Sequence, residues 1–377
     1  MNAVIAEAFA PDTFEAAAGT HHRPLPVDAL RHVKVAYTLR RLREADARSL
    51  LVAAVKPRAG DIVLARVERL GQHNGLQLRS GRRATLFEGD EVLVAYGDRY
   101  APDQYEGVVP EDLAACDLIA AGGIAGRLLC AHKRMRIPTR LRPLGLLADA
   151  QGERLNLRRY ALPSIEGLAR RPPVLVVVGT AMNAGKTTAA SHLIRGLTSA
   201  GLRVGAAKLT GTGSCGDTAL MSDAGAQLAL DFTDAGLATT YRADLAELGR
   251  AAESLLDHLA RHDVEVIVVE IADGLLQRET AGLLNSARFA RRISGVLFAS
   301  GDALGAVGGV DWLEHRALPV IAVTGALTAS PLAIREAAGA TRLPVLGLDA
   351  LSNANAARDL LQAAVARQRS EIVEAGA

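Results

Sequence analysis

The chain changes its hydrophobic grammar near residue 163. Before it, "DIVLARVERL" (61–70), "GLQLRS" (75–80) and "DEVLVAYG" (90–97) alternate apolar with polar positions between Gly-Asp, Asn-Gly and Gly-Arg turns. A period of two is that of half-buried antiparallel strands, so residues 28–162 are expected to form hairpins gathered into a small β-rich barrel or sandwich. Two stretches break the alternation. "PEDLAACDLIAAGGIAGRLLC" (110–130) reads as helix interrupted at Gly122 and Gly123. "GDRYAPDQYEGVVPED" (97–112) reads as a long loop, which either brings substrate-binding groups to a site or seals the end of the barrel.

After a linker ending in two prolines (163–173), short β-branched runs alternate with longer helical patterns. The runs are "VLVVVG" (174), "RVGAAKL" (203), "EVIVVEI" (265), "SGVLFAS" (294), "LPVIAVTG" (318) and "LPVLGL" (343), with amphipathic stretches such as "DLAELGRAAESLLDHLARH" (244) between them. Runs that are apolar throughout signal strands covered on both faces, and the spacing suits right-handed βαβ crossovers. The expected architecture over 174–377 is therefore α/β, a doubly wound, mostly parallel sheet. Residues 1–27 read as a flexible N-terminus, and the Ala-rich tail after 353 as a terminal helix.

Composition narrows the function classes only slightly. The 377 residues suit two domains, and 49% hydrophobic with 22% charged residues describes an ordinary globular chain. A net charge of +2 gives no sign of nucleic-acid or anionic-membrane binding, and the basic stretch "HKRMRIPTRLR" (132–142) reads first as a solvated loop. No window has the length of a membrane span and the N-terminus lacks a secretory pattern, so neither nucleic-acid nor membrane partners are expected. Cys116, Cys130 and Cys215 have no metal-type spacing and their odd number argues against a disulfide framework, which fits a cytoplasmic setting. No His-x-x-x-His pair is present, and Trp312 reads as core.

The chemistry lies in "VLVVVGTAMNAGKTTAAS" (174–191). A small-residue loop between a buried strand and a helix start aims backbone N–H groups at whatever occupies the turn, and the helix dipole favours an anion there. Gly185 lets the backbone approach phosphates, Lys186 can reach β and γ oxygens, and the Thr187 hydroxyl can complete a Mg²⁺ shell. Gly179, Thr180, Asn183, Ala184 and Thr188 complete the expected nucleotide-binding loop. The spacing departs from G-x-x-x-x-G-K-[ST] by one residue: Gly179 stands six before Gly185, and Thr180 occupies the usual first-glycine position.

Three further charges are candidates. Glu270 ends a buried strand, where α/β sheets place their ligands; it is either a Mg²⁺ carboxylate or a strand-end charge reaching solvent. Lys208, also at a strand end, would offset charge on a transferring phosphoryl group or be a surface lysine. Asp223 is either a second metal carboxylate or the cap of a helix "AGAQLALDF", and Asp217 competes with it for the metal role.

The loop "GTAMNAGKT" resembles the G-T-x-x-x-x-G-K-T loop of dethiobiotin synthetase and its relatives, which include the cobyrinic acid amidating synthases. "AAKLTGTGSCGDTALMSDAGAQLAL" (206–230) and "VIVVEIADG" (266–274) follow in the family's order, with Ile271 where the family has glycine. The resemblance covers about the C-terminal 190 residues and implies a P-loop NTPase domain using ATP and Mg²⁺, catalytic roles for Lys186, Lys208 and Glu270, and a homodimer. It also implies transfer of a γ-phosphoryl group to a small-molecule carboxylate, carbamate or hydroxyl, as in ligase or kinase chemistry. The alternatives are a nucleotide-dependent switch and an accessory nucleotide binder. Against the switch, Ala181 stands where "KGGxGKT" loops carry an extra lysine, and no Cys pair could hold a bridging cluster. No guanine-type Asn-Lys-x-Asp signature is visible, so ATP is expected over GTP.

Overall fold

In a computed structural model the described residues are 21–375, with 27, 166, 169 and 170 excepted. The expected flexible N-terminus therefore lies, up to residue 20, outside the described residues. The chain divides into two compact units. The first comprises residues 1–161 together with 212–215 and 236–241; the second comprises 162–211, 216–235 and 242–377. Two short segments of later sequence thus fall with the first unit.

In the first unit the alternating segments become β1 (His21–Pro24), β2 (Lys34–Val35), β3 (Ser49–Val52), β4 (Ile62–Arg69), β5 (Gly75–Gln77), β6 (Arg83–Thr85) and β7 (Glu91–Tyr96). They continue as β8 (Tyr105–Val108), β9 (Cys116–Ala120), β10 (Ile124–Ala131) and β11 (Thr139–Ala148). The ladders β11–β4–β7–β10 run in sequence, and β9 pairs with both β10 and β11, which closes a circuit of five strands. That circuit is a barrel. Ile62, Leu64, Leu93 and Leu147 fill one side of its packing, and Val63, Val92, Val94 and Leu146 the other.

The helix expected over 110–130 is instead the antiparallel pair β9–β10, turning at Gly122 and Gly123. All five residues of β9 are buried, Asp117 among them, so the run has no solvent-facing polar alternation and periodicity could not separate it from a helix. The long loop expected at 97–112 contains a short strand: β8 lies within it, and the buried Tyr105 donates its hydroxyl to the Arg136 carbonyl. The basic stretch divides between an exposed loop and β11, where Arg140 pairs with Asp117 and Arg142 with Glu68.

The second unit is an α/β fold on an all-parallel six-stranded sheet, with β12 (Val174–Gly179) inside the order β14–β13–β15–β12–β16–β17. The others are β13 (Val204–Lys208), β14 (Leu228–Asp231), β15 (Val266–Glu270), β16 (Ile293–Ala299) and β17 (Val320–Thr324). Every residue of β12 is buried, as a strand covered on both faces requires. The helices are α1 (Lys186–Ser199), α2 (Cys215–Asp223), α3 (Leu245–Arg261), α4 (Arg278–Leu284), α5 (Ala287–Ala290), α6 (Ala303–Glu314), α7 (Pro331–Thr341), α8 (Leu348–Ser352) and α9 (Ala354–Ala375). Leu193, Ile194 and Leu197 of α1 join Val266 and Val268 of β15, Leu351 of α8 and Leu360 of α9 in one core.

Two of the expected segments exchange roles. The run at 343 is no strand, retaining only a bridge between Val345 and Val323. The sixth strand is β14, within the stretch read as the helix "AGAQLALDF", and its residues pair in parallel with Gly205–Lys208. Trp312 is only half-buried, with the Arg316 guanidinium 3.6 Å from its ring centroid.

Candidate functional site

The strand order reverses about β12, whose chain leaves toward β13 while its two ladder partners are β15 and β16. A crevice opens beyond the carboxyl ends of the strands at such a point, and the loop 180–185 emerges there. The loop must turn into α1 within a few residues. Gly185 makes the turn with φ +95°, the left-handed region, and caps α1 with no side-chain hydrogen bond. The first N–H groups of α1 have no intrahelical acceptor, so the helix start offers donors and a positive dipole end to an anion.

A cavity of about 410 Å³ lies against this start, lined by Met182, Asn183, Gly185, Lys186, Thr187, Thr188, Lys208, Asp217, Glu270, Ala272 and Asp273. Of the expected loop residues, Gly179, Thr180 and Ala184 do not line it. Their part is to shape the loop: the Thr180 N–H donates to the Ala299 carbonyl at 3.0 Å, and the Ala184 carbonyl accepts from Ala326 at 3.0 Å. Lys186, 5% exposed, donates its ammonium to the Ala181 carbonyl at 2.7 Å. Burial lowers its pKa, against the raising effect of the Glu270 and Asp273 carboxylates.

Register brings the other charges together. Lys208 and Glu270 face each other as ladder partners at the ends of β13 and β15, with Lys208 Nζ 3.9 Å from Glu270 Oε1. The Thr187 hydroxyl donates to the same Oε1 at 2.8 Å. Asp217 then pairs with Lys208 from the first turn of α2. Burial pushes Glu270 above the usual carboxylate range, although Lys208, the Thr187 hydroxyl and Lys186 pull the other way. Burial by itself would lower Lys208, but the charges of Glu270 and Asp217 outweigh it and hold its pKa above the ordinary lysine value.

Glu270 Oε2 is buried and has no hydrogen-bond partner. An orphaned carboxylate oxygen costs free energy unless something else completes it. A Mg²⁺ ion fits the donor set: one hydroxyl and one or two carboxylates are what this ion takes when it keeps several waters. Among the described residues no group of three or more His, Cys, Asp or Glu side chains is placed to hold a metal ion.

The placement expected for Asp223 does not hold. It is the last residue of α2, exposed, and outside the cavity. Because α2 starts at Cys215, the carboxylate in its first turn is Asp217, and Asp223 lies almost two turns farther along. Asp273 was missed. A carboxylate three positions after Glu270, where the chain has just left its strand, is the signal that could have found it.

No family model matches the chain, and no curated protein matches it. Solved structures similar to it include the signal recognition particle 54 kDa protein from Aeropyrum pernix K1 in complex with GDP, at 22% identity and a TM-score of 0.35 over 55% of this chain. The signal recognition particle receptor FtsY from Elizabethkingia anophelis in complex with GDP gives 15%, 0.37 and 54%. A DUF1611 family protein from Anabaena variabilis gives 15%, 0.38 and 57%. The matches span 51%, 68% and 65% of those chains. The second unit is an α/β fold whose parallel sheet places a Gly-Lys-Thr loop between β12 and α1. No helix among the described residues is long and apolar enough to cross a membrane.

Proposed function

We propose that the protein is a Mg²⁺-dependent, ATP-using enzyme that passes the γ-phosphoryl group to an acidic oxygen of a small molecule, in the manner of the dethiobiotin synthetase-like ligases. One observation carries the proposal: a cavity at a helix start in which two lysines face a buried carboxylate that has an oxygen to spare. The α1 N–H groups bind and orient the phosphates, and Lys186, on leaving the Ala181 carbonyl, reaches their oxygens. Lys208 offsets the charge that spreads over the transferring group, so no protein nucleophile is required. Thr187 and Glu270 would hold the Mg²⁺, with Asp217 or Asp273 in reach through water. When bound, the ion would supply positive charge to offset that of the phosphate oxygens. A homodimer in the cytoplasm remains part of the proposal on family resemblance alone.

A nucleotide-dependent switch is the second reading, favoured by one feature: the connection between Lys208 and Asp217 passes through residues that belong to the first unit. The deciding experiment screens metabolites for compounds that stimulate ADP or GDP release by the full chain. Stimulation by a small acid, amine or alcohol supports the enzyme. No stimulation, with nucleotide instead controlling capture of a protein partner, replaces it with the switch.

A further inference from the structure

The backbone leaving β15 is tied before and after the two residues it lends to the cavity. The Leu209 N–H donates to the Glu270 carbonyl and the Ile271 N–H to the Val177 carbonyl, each at 3.0 Å, and the Leu275 N–H donates to the Gly179 carbonyl at 3.2 Å. Between these ties stand Ala272 and Asp273, which both line the cavity. The Ala272 carbonyl accepts from two side chains, the Thr280 hydroxyl at 2.6 Å and the Thr210 hydroxyl. Thr210 lies two residues past β13 and Thr280 in the first turn of α4, and each is 1% exposed. Gln277 fixes Thr280 in turn, its Oε1 accepting from the Glu279 and Thr280 N–H groups at 3.0 and 2.9 Å. All of these residues belong to the second unit.

One donor already satisfies a buried carbonyl. A second, from a different element, fills its remaining lone pair, so the backbone at Ala272 cannot turn without breaking a buried hydrogen bond. Fixing that carbonyl fixes the backbone from which the Asp273 side chain starts. The next residue, Gly274, packs so closely that a Cβ on it would stand 2.3 Å from the Thr180 carbonyl oxygen, which sets this loop against the turn between β12 and α1. We infer that Thr280, together with Thr210, is a positioning residue: the two hydroxyls hold the Ala272 carbonyl so that the Asp273 carboxylate stands in one place in the cavity. This rests on the reading of that cavity as a phosphoryl-transfer site, in which Asp273 is one of the carboxylates in reach of the ion through water. Neither threonine lines the cavity, so both act through Ala272 and Asp273.

Two readouts test it on the full chain. The first needs no nucleotide: amide hydrogen exchange of the peptide spanning 271–276, read by mass spectrometry. Thr280→Val removes the hydroxyl with the shape kept and is expected to speed that exchange about tenfold, whereas Thr280→Ser, which keeps the hydroxyl, leaves it within about twofold of the parent. The second is turnover: Thr280→Val lowers the kcat of ADP release about tenfold with the nucleotide Kd changed less than about twofold, because the phosphates bind at the start of α1 and not at Asp273. In an Asp273→Asn background the same substitution lowers kcat by less than about twofold, since a residue that acts through the Asp273 carboxylate then has nothing to position. If Thr280→Val does not fold, Thr210→Val removes the other donor and gives the same signatures. Parent-like exchange and turnover in Thr280→Val, a Thr280→Ser protein as impaired as Thr280→Val, or an undiminished kcat loss in the Asp273→Asn background overturns the inference. A parent protein that turns over no nucleotide defeats the proposed function instead, and the exchange comparison still decides what the threonines hold.

Discussion

Two clusters of buried charge lie in the same α/β unit. One joins Lys208, Glu270 and Asp217 at the strand ends; the other joins Arg292, just before β16, to Glu253 and Asp257 of α3, with nitrogen–oxygen distances of 2.7 and 3.0 Å. Each contains atoms without hydrogen-bond partners: Glu270 Oε2 in the first, Glu253 Oε1 and Arg292 Nη2 in the second. An orphan atom therefore does not distinguish a site from a structural ion pair. The difference is space. The first cluster lines a cavity beside a helix start that carries uncommitted N–H donors, whereas the residues of the second line no part of that cavity. The second holds α3 against the sheet, and the first leaves Glu270 Oε2 unpartnered beside open space.

If that contrast is right, removing one charge has opposite consequences in the two places. Arg292→Ala strands Glu253 and Asp257 in a buried setting and is expected to cost about 3–5 kcal/mol of stability, read by urea unfolding, with nucleotide affinity unchanged in whatever fraction stays folded. A loss under 1 kcal/mol would show that the sealed cluster is no anchor. Lys186→Ala works the other way. Calorimetry with ATP and GTP should show at least about a 100-fold weaker affinity, about 2.7 kcal/mol, while the unfolding midpoint stays put. Unchanged affinity in a folded variant would remove the phosphate role from the cavity.

The first unit contains a buried titratable group of its own, which extends the comparison to pH. Burial, followed by the nearby Arg99 charge, holds the His73 pKa down from 6.5 to about 4. Its folded value lies below its unfolded one, so the unfolded chain binds the extra proton. Stability is complete above pH 6.5 and is lost as pH falls toward 4, by on the order of 2 kcal/mol once partial exposure is allowed for. His73→Gln should flatten that slope in urea titrations at pH 7, 6 and 5; an unchanged slope would place the acid sensitivity elsewhere.

Glu270→Gln gives the smallest shift and the sharpest contrast with Arg292. The folded-state pKa of Glu270 is raised, so its contribution to stability is present at acid pH and lost as pH rises through that value. Gln removes this loss, and the ligand-free protein should gain about 0.5–2 kcal/mol at pH 7 while its apparent Mg²⁺ affinity falls about tenfold. Destabilisation would mean that Glu270 serves the fold as Arg292 does.

The turn between β12 and α1 was legible because its causes are local. A buried run, a glycine for a left-handed turn, and Lys-Thr opening a helix fall within one short window, and the βαβ alternation around them sets a parallel sheet. The ladder partnership of Lys208 and Glu270 was half legible, since each ends an apolar run, but only sheet order makes β13 and β15 neighbours. Where a segment is buried on both faces, as β9 is, periodicity is silent, and it misled the reading of 110–130.

By itself the sequence determined the two hydrophobic grammars, the strand–turn–helix around Gly185 and the identities of Lys186, Thr187, Lys208 and Glu270 as groups at strand or helix ends. Only the tertiary structure decided that Asp217 and not Asp223 meets Lys208, that β14 and not the run at 343 is the sixth strand, and that the Thr210 and Thr280 hydroxyls meet on the Ala272 carbonyl. The reason is physical. Backbone conformation answers to neighbours a few residues away, while the meeting of two side chains depends on helix start, strand order and register, which are set by contacts between segments far apart in the chain.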